Sequence, residues 1–163
     1  MSQEQQQQVM AMQEKGISFS WIFVMLGVPF GALISAVIML VFDKIGRGDG
    51  SFGKYWAAAC NIALVTSGLG SLVLAVIVLA RGAASFDTMQ SVQQALPTLA
   101  LLVPASSVKL SAFLGAVSPF SLWAVFLTAT AVSTIGRANK TSAWLAGITL
   151  LLVPALIAAA FAK

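Results

Sequence analysis

The sequence predicts an all-α membrane protein with four transmembrane helices and an interfacial or re-entrant helical segment between the second and third. Of its 163 residues, 59% are hydrophobic and only 9% are charged, and the mean hydropathy is +0.94. Soluble domains carry roughly 25% charged residues. Because so few charges cannot cover a surface that faces water, most of the chain is expected to lie in lipid.

The charges are also segregated, which leaves long apolar stretches between them. Each stretch reaches the roughly 20 residues that a helix needs to cross about 30 Å of hydrocarbon. Continuous apolar runs indicate helices, whereas the strands of a membrane barrel alternate apolar and polar residues. A polar, glutamine-rich tail over residues 1–16 precedes a single membrane domain over residues 17–162. The predicted spans are residues 17–42, 55–80, 116–136 and 141–162.

The segment between the second and third spans, about residues 83–113, does not fit a simple span. Its apolar centre, residues 96–103, is too short to cross a bilayer, and Pro97 and Pro104 interrupt it. We expect short interfacial or re-entrant helices, the first over about residues 85–95. A proline-broken fifth span is the alternative, but it would place Lys109 in hydrocarbon at a cost of roughly 2.5–3.5 kcal/mol.

The first loop contains "GDGSFG", residues 48–53, which matches the G-x-G-x-x-G pattern of dinucleotide-binding sites. That pattern binds a pyrophosphate only between a strand and a helix, with an acidic residue about 20 positions later. Here two membrane helices flank the loop, and the later position falls inside the second span. We therefore expect no nucleotide site, and we expect the glycines to supply positive φ angles in a tight hairpin.

The two short turns carry a dense set of basic residues, whereas the other basic residues are spread over tails and a long loop. Lys and Arg in short loops favour the cytoplasmic side. The sequence thus predicts cytoplasmic turns, with both termini and the Arg81–Lys109 region outside. The cytoplasmic basic residues are Lys44, Arg47, Lys54, Arg137 and Lys140.

Small residues recur at four-residue spacing on three of the spans, and such stripes let membrane helices approach closely. Two interpretations stay open: the stripes pack within the four-helix bundle, or at least one of them faces another subunit. The stripes consist of Gly27, Gly31 and Ser35 in the first span, of Ala59, Ala63, Ser67, Ser71 and Ala75 in the second, and of Ala143 and Gly147 in the last.

The side chains needed for catalysis are scarce. The chain has no histidine, and its five acidic residues all fall in predicted tails or loops. Cys60 has no base nearby to activate it as a nucleophile, and Asn61 is expected to form a hydrogen bond across helices. We expect no catalytic, cofactor-binding or metal-binding residues, and hence a protein that is not an enzyme.

Two stretches resemble a known family. The first, "IGRGDGSFGKYWAAACNIALVTSGLGSLV", is a short Gly-rich turn followed by Ser-Phe, a basic residue and an alanine-rich span. The second, "LSAFLGAVSPFSLWAVFLTATAVSTIGRANKTSAWLAGITLLL", has a Trp-bearing span, a Gly-rich exit, a short basic turn and a final helix. Both resemble the Yip family, the Ypt/Rab-interacting membrane proteins, and the chain looks like a short bacterial member. It lacks the Asp-Leu-x-Gly-Pro signature of the eukaryotic members.

The resemblance implies a non-enzymatic protein of the bacterial cytoplasmic membrane, with a cytosolic last turn and the C-terminus outside. Bacterial relatives resemble accessory subunits encoded beside ABC-type exporters. We therefore expect an accessory or scaffold subunit that binds a larger membrane assembly through small-residue helix faces. The alternative is a small oligomeric channel or passive transporter for a neutral solute. The expected partners are the lipid bilayer and another membrane protein, such as an ABC transporter or a second copy of the chain; we expect no cofactor and no nucleic acid.

Overall fold

The computed structural model describes residues 26–82, 95–103 and 107–162. Regular structure in these residues is entirely helical, which confirms the predicted all-α class. The predicted tail (residues 1–16), the start of the first predicted span (residues 17–25) and part of the interfacial segment (residues 83–94 and 104–106) lie outside the described residues. The helices are α1 (Leu26–Ile45), α2 (Phe52–Arg81), a 3₁₀ helix (Leu99–Leu102), α3 (Val108–Gly115), α4 (Pro119–Ile135) and α5 (Lys140–Phe161).

Three described helices, α1, α2 and α5, are long and apolar enough to cross a membrane. Their most apolar windows have mean hydropathies of 2.1, 2.5 and 2.2. α4 has 17 residues, or about 26 Å at 1.5 Å per residue, which falls short of about 30 Å of hydrocarbon. α3 and α4 pass the same test only together, with a bend of 51° between them. The described residues thus contain three candidate spans, or four if the bent pair counts as one.

The bend between α3 and α4 is fixed by the way α4 begins. The Ser118 hydroxyl accepts a hydrogen bond from the Ser121 N–H at 3.1 Å, and the Ser121 hydroxyl accepts one from the Ser118 N–H at 2.8 Å. This reciprocal cap satisfies two backbone donors, and Pro119 suits the first helical position. The Leu99 N–H also donates to the Val117 carbonyl at 3.0 Å, which ties the 3₁₀ helix to the break.

The core lies where α1, α2, α4 and α5 converge near the two short turns. It is built largely of alanines, and small side chains allow membrane helices to pack closely. Among the described residues, its largest members are Met39 and Tyr55, both fully buried. The core residues are Ala32, Ala36, Met39, Tyr55, Ala59, Val132, Ala138, Ala143 and Ala146.

α2 leaves this core after its first turns. Tyr55 and Ala59 are its buried residues, and none of the residues in its most apolar window is buried. A helix of 30 residues is about 45 Å long. No residue of its second half is buried, but a Cβ on Gly70 would lie 3.9 Å from Phe120 of α4, so that half keeps one face towards the bundle and exposes most of its other side chains.

Candidate functional site

The two short turns lock together at one end of the bundle. The Asp49 N–H donates to the Gly136 carbonyl at 2.9 Å, and the Asn139 N–H donates to the Gly46 carbonyl at 3.2 Å. The Ser142 hydroxyl also donates to the Phe42 carbonyl. The basic turns predicted from the sequence are therefore a single structural unit, which we call the paired turns (residues 43–51 and 136–142).

The paired turns are related by a local two-fold repeat. Ile-Gly-Arg occurs where a helix ends and each turn follows, at residues 45–47 and 135–137. The Gly46 carbonyl accepts a hydrogen bond from the Asn139 N–H, and the Gly136 carbonyl accepts one from the Asp49 N–H. In both cases the donor lies three positions after the glycine of its own turn. Arg47 and Arg137 also share a left-handed backbone, with φ of 59° and 57°. The hairpin of α1 and α2 thus has a counterpart in the hairpin of α4 and α5.

The glycines of the first turn serve close packing, and the prediction that they supply positive φ angles is wrong. Gly48 and Gly50 do not have left-handed φ angles; the arginine of each turn does. A Cβ on Gly48 would lie 1.8 Å from Asp43 Oδ1, and one on Gly50 would lie 2.5 Å from the Tyr55 hydroxyl. These glycines are required because two buried polar side chains occupy the space that a Cβ would take.

Asp43 is the centre of the paired turns, and the assignment of all acidic residues to tails or loops was wrong for it. It lies within α1 and is fully buried. Its Oδ2 accepts a hydrogen bond from the Gly50 N–H at 3.0 Å and lies 3.4 Å from the Lys44 ammonium. Lys44 in turn donates to the carbonyls of Gly48 at 3.2 Å and Gly50 at 3.0 Å. The Asp43–Lys44 pair therefore holds the first turn in shape.

The second carboxylate oxygen of Asp43 faces Tyr55. Neither Asp43 Oδ1 nor the Tyr55 hydroxyl forms a hydrogen bond of standard geometry with the described residues, and both atoms are buried. A Cβ on Gly136 would lie 1.7 Å from Oδ1 and 2.2 Å from the hydroxyl, so the two oxygens are no further apart than the sum of these distances. A hydroxyl donor beside a carboxylate acceptor is a complementary pair, and Gly136 leaves room for it.

An apolar cavity of about 500 Å³ lies between α1, α2, α4 and α5, on the far side of the core from the paired turns. Towards the turns it extends only as far as Met39, Ala59 and Thr128, and the fully buried Tyr55 and Val132 lie beyond. The cavity is therefore blind at that end. Thr128 is 2% exposed and lines the cavity.

The predicted small-residue stripes fall into different environments. Ala59, Ala143 and Gly147 are buried, and a Cβ on Gly147 would lie 2.6 Å from the Val125 carbonyl, which shows how closely α4 and α5 approach. Ala63 and Ser35 are half-buried. The exposed members are Gly27, Gly31, Ser67, Ser71 and Ala75.

The first stripe is offset from the face of α1 that packs. The buried face carries Ala32, Ala36 and Met39, whereas a Cβ on Gly27 or Gly31 would meet nothing within 4 Å. Asn61 also differs from expectation, because its amide donates to the Ala57 carbonyl of its own helix at 2.8 Å and not across helices.

Comparison of the chain with protein-family models, curated proteins and solved structures found no match. The resemblance to the Yip family therefore stays a prediction. Among the described residues, no group of three or more His, Cys, Asp or Glu side chains could hold a metal ion. The site that the geometry defines is the buried pair of Asp43 and Tyr55 between the paired turns, which we call the buried clamp. The exposed basic residues of the paired turns lie around it.

Proposed function

We propose that this protein is a non-enzymatic accessory or scaffold subunit of a larger membrane assembly, and that it binds its partner through the second half of α2. One observation carries the proposal: the small-residue stripe of α2 continues past the buried Ala59 onto exposed positions of an apolar window that contains no buried residue. Ser71 and Ala75 are exposed there. Small residues on an uncovered membrane helix let a second helix approach closely.

The rest of the bundle supports a role in docking. Hydrogen bonds join the two paired turns to each other, and the alanine core packs the two hairpins together. None of these core residues comes from the second half of α2. Among the described residues, Ser71 and Ala75 on that half are left exposed. The resemblance to Yip proteins favours an ABC-type exporter as the larger assembly.

Substitution of the α2 stripe tests the proposal. We expect Ser71→Leu/Ala75→Leu to abolish co-purification of the partner in a mild detergent, because the leucines prevent close approach of a second helix. Ala80→Leu is the matched control, since Ala80 is also exposed but lies on the opposite side of α2. Unchanged co-purification by the double variant, identified by mass spectrometry, would count decisively against this interface.

Passive conduction of a neutral solute is the second candidate, and the apolar cavity is the observation that favours it. A conducting path would have to open through the packed layer of Met39, Tyr55 and Val132, all of which are fully buried. If the native protein purifies as a homo-oligomer without a partner, solute flux into proteoliposomes that contain only this protein decides the matter. Flux no greater than that of empty vesicles excludes conduction.

We further propose a location in the bacterial cytoplasmic membrane, with the paired turns on the cytoplasmic side. The basic residues of both turns support this orientation through the positive-inside tendency. In a Cys60→Ala background, a cysteine introduced at the exposed Ser51 is expected to react with a membrane-impermeant maleimide only after the cells are opened. Labelling in intact cells would reverse the orientation.

A further inference from the structure

The paired turns present a cationic surface formed by two segments far apart in the sequence. Arg47 and Lys54 come from the first turn and the start of α2; Arg137 and Lys140 come from the second turn and the start of α5. All four are exposed, and none forms an ion pair or a side-chain hydrogen bond with a described residue. Asp49 is the exposed acid among them. The reciprocal bonds between the turns hold this excess of positive charge in one place.

The two arginines occupy backbone positions that do not suit arginine. Left-handed residues just after a helix are usually glycine, because a Cβ is strained there. Arg47 and Arg137 both have this conformation, although glycines stand directly beside each of them. Residues held in unfavourable backbone conformations concentrate at functional sites. Within the described residues, neither guanidinium group forms an ion pair or a hydrogen bond that would offset this strain.

The position of the arginines indicates what they bind. Each lies two residues after an apolar helix ends, at Ile45 and Ile135. If these helices cross the bilayer, as proposed, the arginines lie at the level of the phospholipid headgroups. Ile45 is 65% exposed at the end of α1, and Phe52 is 42% exposed at the start of α2. An acidic ligand without apolar groups would cover the charges and leave this apolar surface in water. A phospholipid covers both, with its phosphate on the cations and its acyl chains on the apolar side chains.

We infer that the paired turns bind the phosphate headgroup of an anionic phospholipid. The guanidinium groups of Arg47 and Arg137 donate to phosphate oxygens, a geometry that arginine supports with two parallel N–H donors. Lys54 and Lys140 add positive charge at the same depth, where basic residues are attracted to anionic lipid. This role is separate from docking through α2, because it uses the opposite end of that helix.

Thermal unfolding of the purified full-length protein in a neutral detergent tests the inference. Addition of phosphatidylglycerol is expected to raise the Tm of the wild type by several degrees more than the same amount of phosphatidylcholine. Arg47→Gly/Arg137→Gly is expected to lose most of this difference. The same variant should have a higher Tm than the wild type without lipid, since glycine relieves the left-handed strain. A variant that only loses structure would have a lower Tm without lipid. It would not combine a higher Tm without lipid with a smaller response to phosphatidylglycerol.

Matched variants separate a specific site from a general effect of charge. Arg81→Ala/Lys109→Ala removes the same number of exposed cations elsewhere and should keep the full response to phosphatidylglycerol. If the glycine variant does not fold, Arg47→Asn/Arg137→Asn replaces it, because asparagine also tolerates the left-handed conformation. An unchanged lipid response in the variant of the paired turns, or an equal loss in the control, would overturn the inference. A wild-type shift of the same size with soluble glycerol phosphate would also overturn it, because the site would then recognise a free anion.

Discussion

Gly136→Ala is expected to be among the most destabilising single substitutions in this chain. The new Cβ would lie 1.7 Å from Asp43 Oδ1 and 2.2 Å from the Tyr55 hydroxyl, both of which are buried. Excess volume in a packed core typically costs about 1–3 kcal/mol. Here the displaced groups are polar and tightly enclosed, so we expect a loss at the upper end, about 3 kcal/mol.

Gly53→Ala is the matched control for this experiment. Gly53 lies in the first turn of α2, and a Cβ there would meet nothing within 4 Å. Alanine favours a helix over glycine by up to about 1 kcal/mol, so the control should be neutral or slightly more stable. Thermal unfolding in mild detergent, followed by circular dichroism, compares the two variants. Equal midpoints for Gly136→Ala and the wild type would show that the paired turns do not enclose Asp43 and Tyr55 as described.

Hydropathy predicted the long helices well because membrane insertion depends on apolar length, which a sequence displays directly. α5 runs from Lys140 to Phe161 and α2 from Phe52 to Arg81, close to the predicted spans 141–162 and 55–80. The third span was harder to predict, since α4 is short and completes an apolar length only with α3 across a bend. A bend depends on capping at Ser118 and Pro119 and not on composition.

The buried clamp could not be predicted from charge segregation, because that approach ends a span at its first charged residue. Asp43 was therefore assigned to a loop. Its burial is possible because the carboxylate contacts the Gly50 N–H and the Lys44 ammonium, and because Gly136 has no side chain to occupy the space beside it. Gly136 is distant in sequence, so spacing around Asp43 could not reveal it. One signal was present, since Ile-Gly-Arg recurs at residues 45–47 and 135–137. A repeated turn motif in two helical hairpins indicates related structures that are able to pair.

The glycine pattern of the first loop shows why the same residues can support several interpretations. Glycine is selected by positive φ, by ligand approach or by lack of space, and a sequence alone does not separate these causes. In the paired turns lack of space is the cause at Gly48 and Gly50, while the strained conformation falls on Arg47.

Asp43→Ala is the second substitution with a large expected effect. It leaves the Gly50 N–H without its acceptor and the Tyr55 hydroxyl without a facing carboxylate. Removing one partner of a buried charged hydrogen bond costs about 2–4 kcal/mol. Asp43→Asn should lose about half as much, because the amide oxygen still accepts from Gly50. Asp49→Ala is the control: Asp49 is an exposed acid in the same turn, and the change should stay within about 0.5 kcal/mol.

Combining the two large substitutions tests whether Asp43 and Gly136 act as one unit. The carboxylate of Asp43 is one of the two groups that a Cβ on Gly136 would strike. In an Asp43→Ala background that obstacle is gone, so Gly136→Ala should cost less than it does in the wild type. Residues in contact typically show coupling of about 0.5–3 kcal/mol in such a cycle. Strict additivity of the two losses would mean that each substitution destabilises the protein for an unrelated reason, and that the clamp is not the structure joining the two turns.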